Sequence, residues 1–298
     1  PLISSDQPAG NLTAATAKAL GLSTETVVSA GGGDNMMGAI GTGNTKPGIV
    51  TASFGTSGTI YACSAKPVID PLGEIAAFCD STNRWLPLLC TMNVTVATEM
   101  VREHYGMTHI QYEKEASKIR PGSEGLVLLP YLEGERTPSV PNGTGVWFGV
   151  NTRNNNRGHF ARAAMEGVTM GMNYGLKRLA NLGVKARQIR VTGGGANSKV
   201  WRQIMADIFN AEVVTLSVSE GAAYGAAIQA MWCVGRTQSG KSSIEELTDR
   251  FVKINKSQIS RPNPENMRVY KEFNSIQDSL SNSLRAVFDS HRGLLGCE

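Results

Sequence analysis

The chain has 298 residues, of which 41% are hydrophobic and 6% aromatic, so it can bury a large core and form one large domain or two. Its formal net charge of +4 is small and its basic residues are dispersed, which gives no support for a nucleic-acid or membrane surface and favours a small-molecule partner. The five cysteines have no CxxC spacing and no apolar run is long enough to span a bilayer, so we expect no metal cage, no disulfide framework and a cytoplasmic protein.

The first part of the chain leads to an acidic residue that follows a run of glycines. Residues 12–20 carry apolar side chains at helical spacing and stop at Gly21, which predicts a short helix with a glycine cap. Residues 26–30 predict a strand, and Asp34 follows it, where open α/β sheets often place functional groups. A carboxylate released from a glycine-rich turn can take a proton from an alcohol, although aspartate after glycine is also a common turn or helix-capping residue.

A second glycine-rich turn follows closely. Residues 49–53 and 59–62 predict the two strands of a β-hairpin, and the turn between them consists of Gly55, Thr56, Ser57 and Gly58. The amides and hydroxyls of such a turn can hold phosphate oxygens, but a hairpin turn needs glycines in any case, so a plain turn is the alternative. An acid and a phosphate-binding turn close together suggest phosphoryl transfer to a hydroxyl.

The middle of the chain predicts short strands and helices around one polar loop. The strands are residues 76–79, 84–88 and 125–131, and the helices are residues 94–105 and 113–118. The strand at 125–131 is a compact apolar run and is expected to be buried. The loop after it contains Glu135 and Arg136 beside Pro138, a composition typical of a cleft lining, although solvated loops can have the same composition.

A third glycine-rich turn lies between a predicted strand, residues 189–192, and a predicted helix, residues 200–210. Backbone amides at the start of a helix favour an anion, and glycines let a ribose or purine lie against bare backbone. A dinucleotide-binding oxidoreductase is the alternative, because Gly193 and Gly195 match half of a Rossmann fingerprint; however, Ser198 occupies the third glycine position. The turn comprises Gly193, Gly194, Gly195, Ala196, Asn197 and Ser198.

The remaining predicted elements are mostly helical. A long helix of small residues covers 159–182, a strand covers 213–216, and another small-residue helix runs from 221 to about 233. Glu220 stands at the start of that helix, where the helix dipole alone would favour an acid. A last amphipathic helix, from 266 to about 288, is interpreted as a docking segment.

These motifs together resemble the FGGY carbohydrate kinases, and the resemblance covers nearly the whole chain. The most specific piece is residues 145–166, which is similar to the C-terminal signature of that family. Four shorter motifs occur in the family's order: GGGDN at 31–35, SFGTSG at 53–58, GERTP at 134–138 and TGGGANS at 192–198. Ser139 follows GERTP where one branch of the family often has His.

The resemblance implies a fold, two substrates and a set of roles. The fold would be α/β and ribonuclease-H-like, as in actin and the heat-shock ATPases, with a sugar and ATP meeting between two such domains. Asp34 would be the general base and would also touch Mg²⁺ through water. Phosphate contacts would come from Gly55, Thr56, Ser57 and Gly58, and adenosine contacts from Gly193, Gly194, Gly195, Asn197 and Ser198.

The resemblance also implies a domain division. The family begins with an Asp-x-Gly-Thr hairpin and a sugar-binding half, neither of which is present here, so we expect this chain to be the C-terminal part of the enzyme. Residues 1–46 would end the sugar-binding domain, 47–237 would form the nucleotide-binding domain, and 238–298 would be a connector and docking helix. A homodimer is a possible assembly, and a non-catalytic nucleotide-binding module of the actin-like superfamily remains the alternative function.

Overall fold

A mixed six-stranded sheet organises the chain, and its computed structural model describes residues 2–219 and 221–296. Glu220, which the sequence puts at a helix start, and Cys297 lie outside the described residues. The strands are β1 (Pro8–Asn11), β2 (Val27–Ser29), β3 (Ile49–Phe54), β4 (Gly58–Ala62), β5 (Ala76–Cys79), β6 (Trp85–Thr91), β7 (Val127–Pro130), β8 (Gly145–Phe148), β9 (Gln188–Thr192) and β10 (Glu212–Val214). The α-helices are α1 (Ala14–Leu20), α2 (Asp34–Gly41), α3 (Thr95–His104), α4 (His109–Ser117), α5 (Arg157–Asn181), α6 (Lys199–Phe209), α7 (Gly221–Ser239), α8 (Ile244–Phe251), α9 (Pro264–Ser283) and α10 (Arg285–Leu294).

The main sheet has the order β10-β9-β3-β4-β6-β5. Strands β3, β9 and β10 are parallel, whereas β3, β4, β6 and β5 form an antiparallel meander. The predicted hairpin around residues 55–57 is confirmed, because Phe54 pairs with Gly58 and Val50 with Ala62. Two smaller antiparallel pairs, β1 with β2 and β7 with β8, lie outside this sheet.

Most predicted helices are confirmed, and their ends have identifiable caps. Helix α4 begins four residues before the prediction because Thr108 and Gln111 form a capping box. Helix α6 begins after Ser198, whose hydroxyl accepts a hydrogen bond from Trp201 N, and ends at Asn210 in a left-handed conformation. The predicted last helix is two helices, α9 and α10, separated at Leu284.

The largest hydrophobic core lies between the main sheet and the helices α3, α5 and α6. Its centre contains Phe54 on β3 and Trp201 on α6, whose rings meet edge to face with centroids 5.5 Å apart. The indole Nε1 of Trp201 donates to Thr169 Oγ1 at 2.9 Å, so its polar atom is also satisfied inside the core. This packing holds the start of α6 against the end of β3.

Helices α2 and α7 cross in direct backbone contact. A Cβ atom added to Gly41 would lie 1.8 Å from Gly221 O, and one added to Gly225 would lie 1.8 Å from Met37 O. Only glycine permits this separation, which explains the small residues of α7 that the sequence analysis noted. Helix α2, which begins with Asp34, is thereby attached to the half of the chain that contains the main sheet.

The proposed division into domains at residues 46 and 237 stays a prediction. Helix α8 was not predicted, and it covers part of the segment interpreted as a connector. Helix α9 packs on β7 and α5, where Gln277 Nε2 donates to Leu128 O and Gly167 O, each at 2.8 Å. None of the helices in the described ranges combines the length and apolarity needed to cross a bilayer.

Candidate functional site

Two of the predicted glycine turns meet at the C-terminal ends of two neighbouring inner strands of the main sheet. Strands β3 and β9 are parallel neighbours in which Ser53 pairs with Thr192, so the turns that follow them emerge side by side. Gly193 has φ of +83° and ψ of 178°, and a Cβ atom there would lie 2.6 Å from the Phe54 carbonyl carbon. The turn at 193–198 therefore rests on the first residues of the turn at 55–58.

The residues of both turns differ in exposure. Thr56 and Ser57 are exposed, as are Gly193, Gly194 and Asn197. Gly195 is buried, and a Cβ atom there would lie within 3.1 Å of both Phe54 and Trp201. The exposed atoms of the two turns form one polar surface with bare backbone, which suits a ligand that carries both phosphates and a ring.

A cavity of about 490 Å³ opens beside the turn at 193–198. Its floor is apolar, and its rim carries carboxylates, hydroxyls and an amide, a combination typical of small-molecule sites. The contributions of α3 and α4 to this cavity were not predicted, because no local sequence pattern shows which face of a helix will line a cavity. The lining residues are Thr95, Thr98, Glu99, His109, Ile110, Tyr112, Glu113, Met165, Gly194, Gly195, Asn197, Ser198 and Trp201.

Ser198 has a structural role at this cavity in addition to lining it. Its hydroxyl caps α6 by accepting from Trp201 N at 3.1 Å and donates to Glu113 Oε1 at 3.1 Å. Glu113 Oε1 also accepts from Val200 N at 3.1 Å. The Glu113 carboxylate therefore occupies the Val200 amide in the first turn of α6.

A short segment after β6 connects the turn at 55–58 to the loop that contains Glu135. Thr95 N donates to Gly55 O at 2.9 Å and Val94 N donates to Thr56 O at 3.0 Å. On its other side, Asn93 Nδ2 donates to Gly134 O at 2.7 Å. Asn93 lies in none of the sequence motifs. The structure identifies it because its side-chain amide is buried, 3% exposed, between two motif loops.

Glu135 and Arg136, the two cleft-lining candidates, differ in their surroundings. Glu135 is only 4% exposed, and its carboxylate accepts hydrogen bonds from Met92 N and Arg136 N, both at 2.7 Å. Burial raises the pKa of Glu135, and these hydrogen bonds oppose the rise. Arg136 is exposed. Of the two candidates, Glu135 is the buried one and holds the loop through its hydrogen bonds, whereas Arg136 is accessible to solvent.

Asp34 is the first residue of α2 and is exposed. Its Oδ1 accepts from Asn35 N at 2.8 Å, and its Oδ2 has no hydrogen-bond partner among the described residues. Burial is the main cause that raises the pKa of the Cys90 thiol, the Arg136 charge lowers it, and the Asp34 and Glu135 charges raise it. Met36, two residues after Asp34, packs on the same hydrophobic cluster as Cys90, and Cys90 pairs with Thr59, next to Gly58. The start of α2 therefore lies near the end of the sheet where the turn emerges.

The site has a carboxylate suited to acid–base chemistry near a turn with exposed hydroxyls. A free carboxylate oxygen can accept a proton, and the turn amides can face negative oxygens. Within the described ranges, no three His, Cys, Asp or Glu side chains converge as a metal cage. The exposed Asp34 carboxylate is a single oxygen donor of the kind that hard divalent cations accept together with water.

The chain is similar to several proteins of known activity. Over 270 residues, the chain is 40% identical to a xylulose kinase of Haemophilus influenzae, an alignment that covers 91% of this chain and 54% of that protein. It is 29% identical to a gluconokinase of Bacillus subtilis, covering 93% of this chain and 56% of that protein. The crystal structure of xylulose kinase from Rhodospirillum rubrum superposes with a TM-score of 0.85 at 26% identity, covering 97% of this chain and 58% of that one.

These relatives also bear on the extent and fold of the chain. The chain spans about half the length of the curated relatives that it matches. The likeness to solved sugar kinases confirms the predicted ribonuclease-H-like α/β fold. Residues 50–234 match the C-terminal domain of one carbohydrate kinase family, and this match covers more than half of the chain. The chain therefore belongs to the FGGY family of carbohydrate kinases.

Proposed function

We propose that this chain supplies the nucleotide-binding half and the catalytic base of an ATP-dependent sugar kinase, which converts D-xylulose to D-xylulose 5-phosphate. The observation that carries the proposal is the meeting of the turns at 55–58 and 193–198 beside a cavity, with Asp34 at the start of α2 near the same end of the sheet. The 40% identity to a xylulose kinase supports the choice of sugar.

In the proposed mechanism, each motif has one role. The cavity holds adenosine against Gly194, Gly195 and Asn197, and the phosphates lie along Gly55, Thr56, Ser57 and Gly58. Asp34 Oδ2 accepts the proton of a sugar hydroxyl while that oxygen attacks the γ-phosphorus. The bond from the γ-phosphorus to the bridging oxygen breaks, and ADP leaves. The amides of the turn face the charge that develops on the phosphoryl oxygens.

Asp34 is also the residue that would hold Mg²⁺, through water, in this site. When bound with ATP, the ion would neutralise charge on the phosphate oxygens. Arg136 is exposed next to Glu135, whose carboxylate accepts from Met92 N just after β6, so it adds a positive charge near this end of the sheet. Asn93 and Glu135 hold the segment after β6 against the loop at 134–138, and neither side chain touches the substrate.

The test is Asp34→Asn in the full-length gene product, measured as ADP release with D-xylulose. General-base assistance is worth about a hundred- to ten-thousand-fold, so kcat should fall by that factor. The Kd for ATP should stay within about twofold, because Asn keeps the shape of the side chain. Glu25→Gln, an exposed acid outside these motifs, is the matched control and should retain activity. Near-normal turnover in Asp34→Asn would reject the assignment.

A second candidate function is phosphorylation of a different substrate, namely another ketose, a sugar acid or a polyol. The 29% identity to a gluconokinase favours a sugar acid among these. A panel of D-xylulose, D-ribulose, D-gluconate and glycerol separates these substrates by kcat/KM in the same assay. Release of ADP with none of them would instead favour a non-catalytic nucleotide-binding module. A cytoplasmic location and a homodimer remain predictions of the sequence, and cell fractionation and light scattering test them.

A further inference from the structure

A second cavity, of about 800 Å³, lies on another face of α6 from the nucleotide cavity. We name it the basic cavity, because five basic side chains and one acid line it: Lys118, Arg120, Arg162, Lys199, Arg202 and Asp207. Residues 199, 202 and 203 face it, whereas Ser198 and Trp201 face the nucleotide cavity. The two cavities are thus separated by the first turn of one helix, and nothing in the proposed reaction uses the second.

Some of these charges are already satisfied within the protein. Arg162 Nε donates to Glu166 Oε1 at 2.7 Å, and Lys118 Nζ lies 2.8 Å from Glu115 Oε1. The acid, Asp207, accepts from Gln203 Nε2, Asn263 N and Asn266 Nδ2, each at 2.8 Å, so its oxygens are engaged at the junction of α6 and α9. The remaining cations of the lining are Arg120, Lys199 and Arg202.

Those remaining cations lack counter-ions in the described part of the chain. Arg120 and Lys199 are exposed, and neither side chain forms a hydrogen bond or ion pair with residues 2–219 or 221–296. Arg202 is the informative one, because it is only 5% exposed and has no carboxylate within ion-pair distance among the described residues. Its Nη1 donates to Ala196 O at 2.6 Å, but its Nε is buried without a partner.

A buried guanidinium without a counter-ion is costly, because burial removes the water that stabilises the charge. Burial also lowers the pKa of Arg202, which the Glu113 charge opposes. An anion bound from the cavity would supply the missing partner, and guanidinium groups match phosphate and carboxylate oxygens in geometry. Three unpaired cations around one cavity suit the higher charge of a phosphate.

We propose that the basic cavity is a second ligand site of this chain, which binds a phosphate-bearing small molecule through Arg120, Lys199 and Arg202. The cavity is larger than a phosphate ion needs, and its remaining polar lining, which includes Gln203, Ser257, Gln258 and Ser260, suits a hydroxyl-bearing ester. Arg202 also holds the Ala196 carbonyl of the turn at 193–198. The ligand therefore contacts a residue that supports the nucleotide turn.

The test uses inorganic pyrophosphate as the probe and calorimetry of the 298-residue chain as the measurement. Titration is done without nucleotide and again with saturating ADP, which occupies the turn at 55–58 if the proposed function holds. We expect binding at one site that persists with ADP. The double variant Arg120→Gln/Lys199→Gln should weaken it about tenfold or more, since hydrogen bonds to charged groups are strong and neither side chain supports the fold.

The control variant is Lys18→Gln, an exposed lysine of α1 that does not line the cavity, and its affinity should stay within about twofold of the wild type. Arg202 itself is left intact, because replacing it would also release Ala196 O. Loss of pyrophosphate binding when ADP is present, no binding at all, or equal affinity in the double variant would each overturn the proposal. If ADP does not bind but the double variant still weakens pyrophosphate binding, the proposed function fails and this second site stands.

Discussion

The contact between the two glycine turns predicts that Gly193 cannot be replaced, even by alanine. At φ of +83° and ψ of 178°, a residue with a side chain costs about 1–3 kcal/mol more than glycine. The added Cβ atom would also lie 2.6 Å from Phe54 C and Phe54 O and 3.0 Å from Gly55 N, so backbone would have to move. Together these effects should lower the free energy of unfolding by at least about 2 kcal/mol.

The neighbouring Gly194 provides a matched control for that substitution. A Cβ atom at Gly194 meets nothing within 4 Å, and its backbone is not in the left-handed region. Gly194→Ala should therefore change the free energy of unfolding by no more than about 0.5 kcal/mol. Because Gly194 lines the nucleotide cavity, the same substitution should weaken ADP binding under the proposed function.

The assay is urea denaturation of both variants, followed by tryptophan fluorescence and far-ultraviolet circular dichroism. Gly193→Ala should shift the midpoint to lower urea with an unchanged m value, since the surface exposed on unfolding is the same. Calorimetric titration with ADP then measures binding in both proteins. Equal stability of the two variants would refute the inference that the turn at 193–198 rests on the backbone of the turn at 55–58.

Three further substitutions test other parts of the structure. Glu166→Gln should destabilise the protein by about 3–5 kcal/mol, because Glu166 is 2% exposed and pairs with Arg162; the exposed Glu272→Gln is the control, and equal denaturation midpoints would contradict the argument. Asn93→Ala should cost about 1–3 kcal/mol by removing the side-chain donor to Gly134 O and to Glu135 Oε2, whereas an unchanged midpoint would show that the linkage is unimportant. Burial raises the pKa of Asp70, but the hydrogen bonds from Arg178 and from the amides of Leu72, Ile75 and Glu74 outweigh it, so the pKa lies below the usual 3.8. Because the pKa of Asp70 is lower in the folded than in the unfolded protein, its ionised carboxylate stabilises the fold at pH values above the unfolded pKa, and this effect is lost as the pH falls below about 4. The difference in free energy of unfolding between wild type and Asp70→Asn should therefore narrow below about pH 4. A difference that stays constant from about pH 7 to about pH 2 would contradict this prediction.

The elements that sequence predicts well are those whose signals are local. The hairpin at 49–62 was readable because two β-rich runs flank a glycine turn, and the start of α6 because Ser198 precedes an apolar helical pattern. Helix α8 was missed because its polar first turn, with Glu245 and Glu246, resembles the connector before it. The break between α9 and α10 at Leu284 was not predicted, because the amphipathic pattern of the sequence continues on both sides of that residue.

The site was readable only in pieces, because its assembly depends on contacts between distant segments. No local signal pairs Ser53 with Thr192, and this register brings the two turns together. Glu135 has the composition of a cleft residue, but the three donors from Met92, Asn93 and Arg136 make it a buried anchor. A hydrogen bond between residues 43 positions apart, such as Met92 N to Glu135, depends on tertiary packing rather than on local propensity.

The crossing of α2 and α7 limits how the catalytic candidate can move. The backbones of α2 and α7 touch at Gly41 and Gly225, where an added Cβ atom would lie 1.8 Å from a carbonyl oxygen, so this contact fixes the separation of the helices and can serve as a pivot. Asp34 lies three to seven residues from this pivot, or about 5–10 Å along the helix axis at 1.5 Å per residue. A rotation of about 10° about this contact would carry the Asp34 carboxylate only about 1–2 Å, a shift large enough to complete or break a proton-transfer distance under the proposed function.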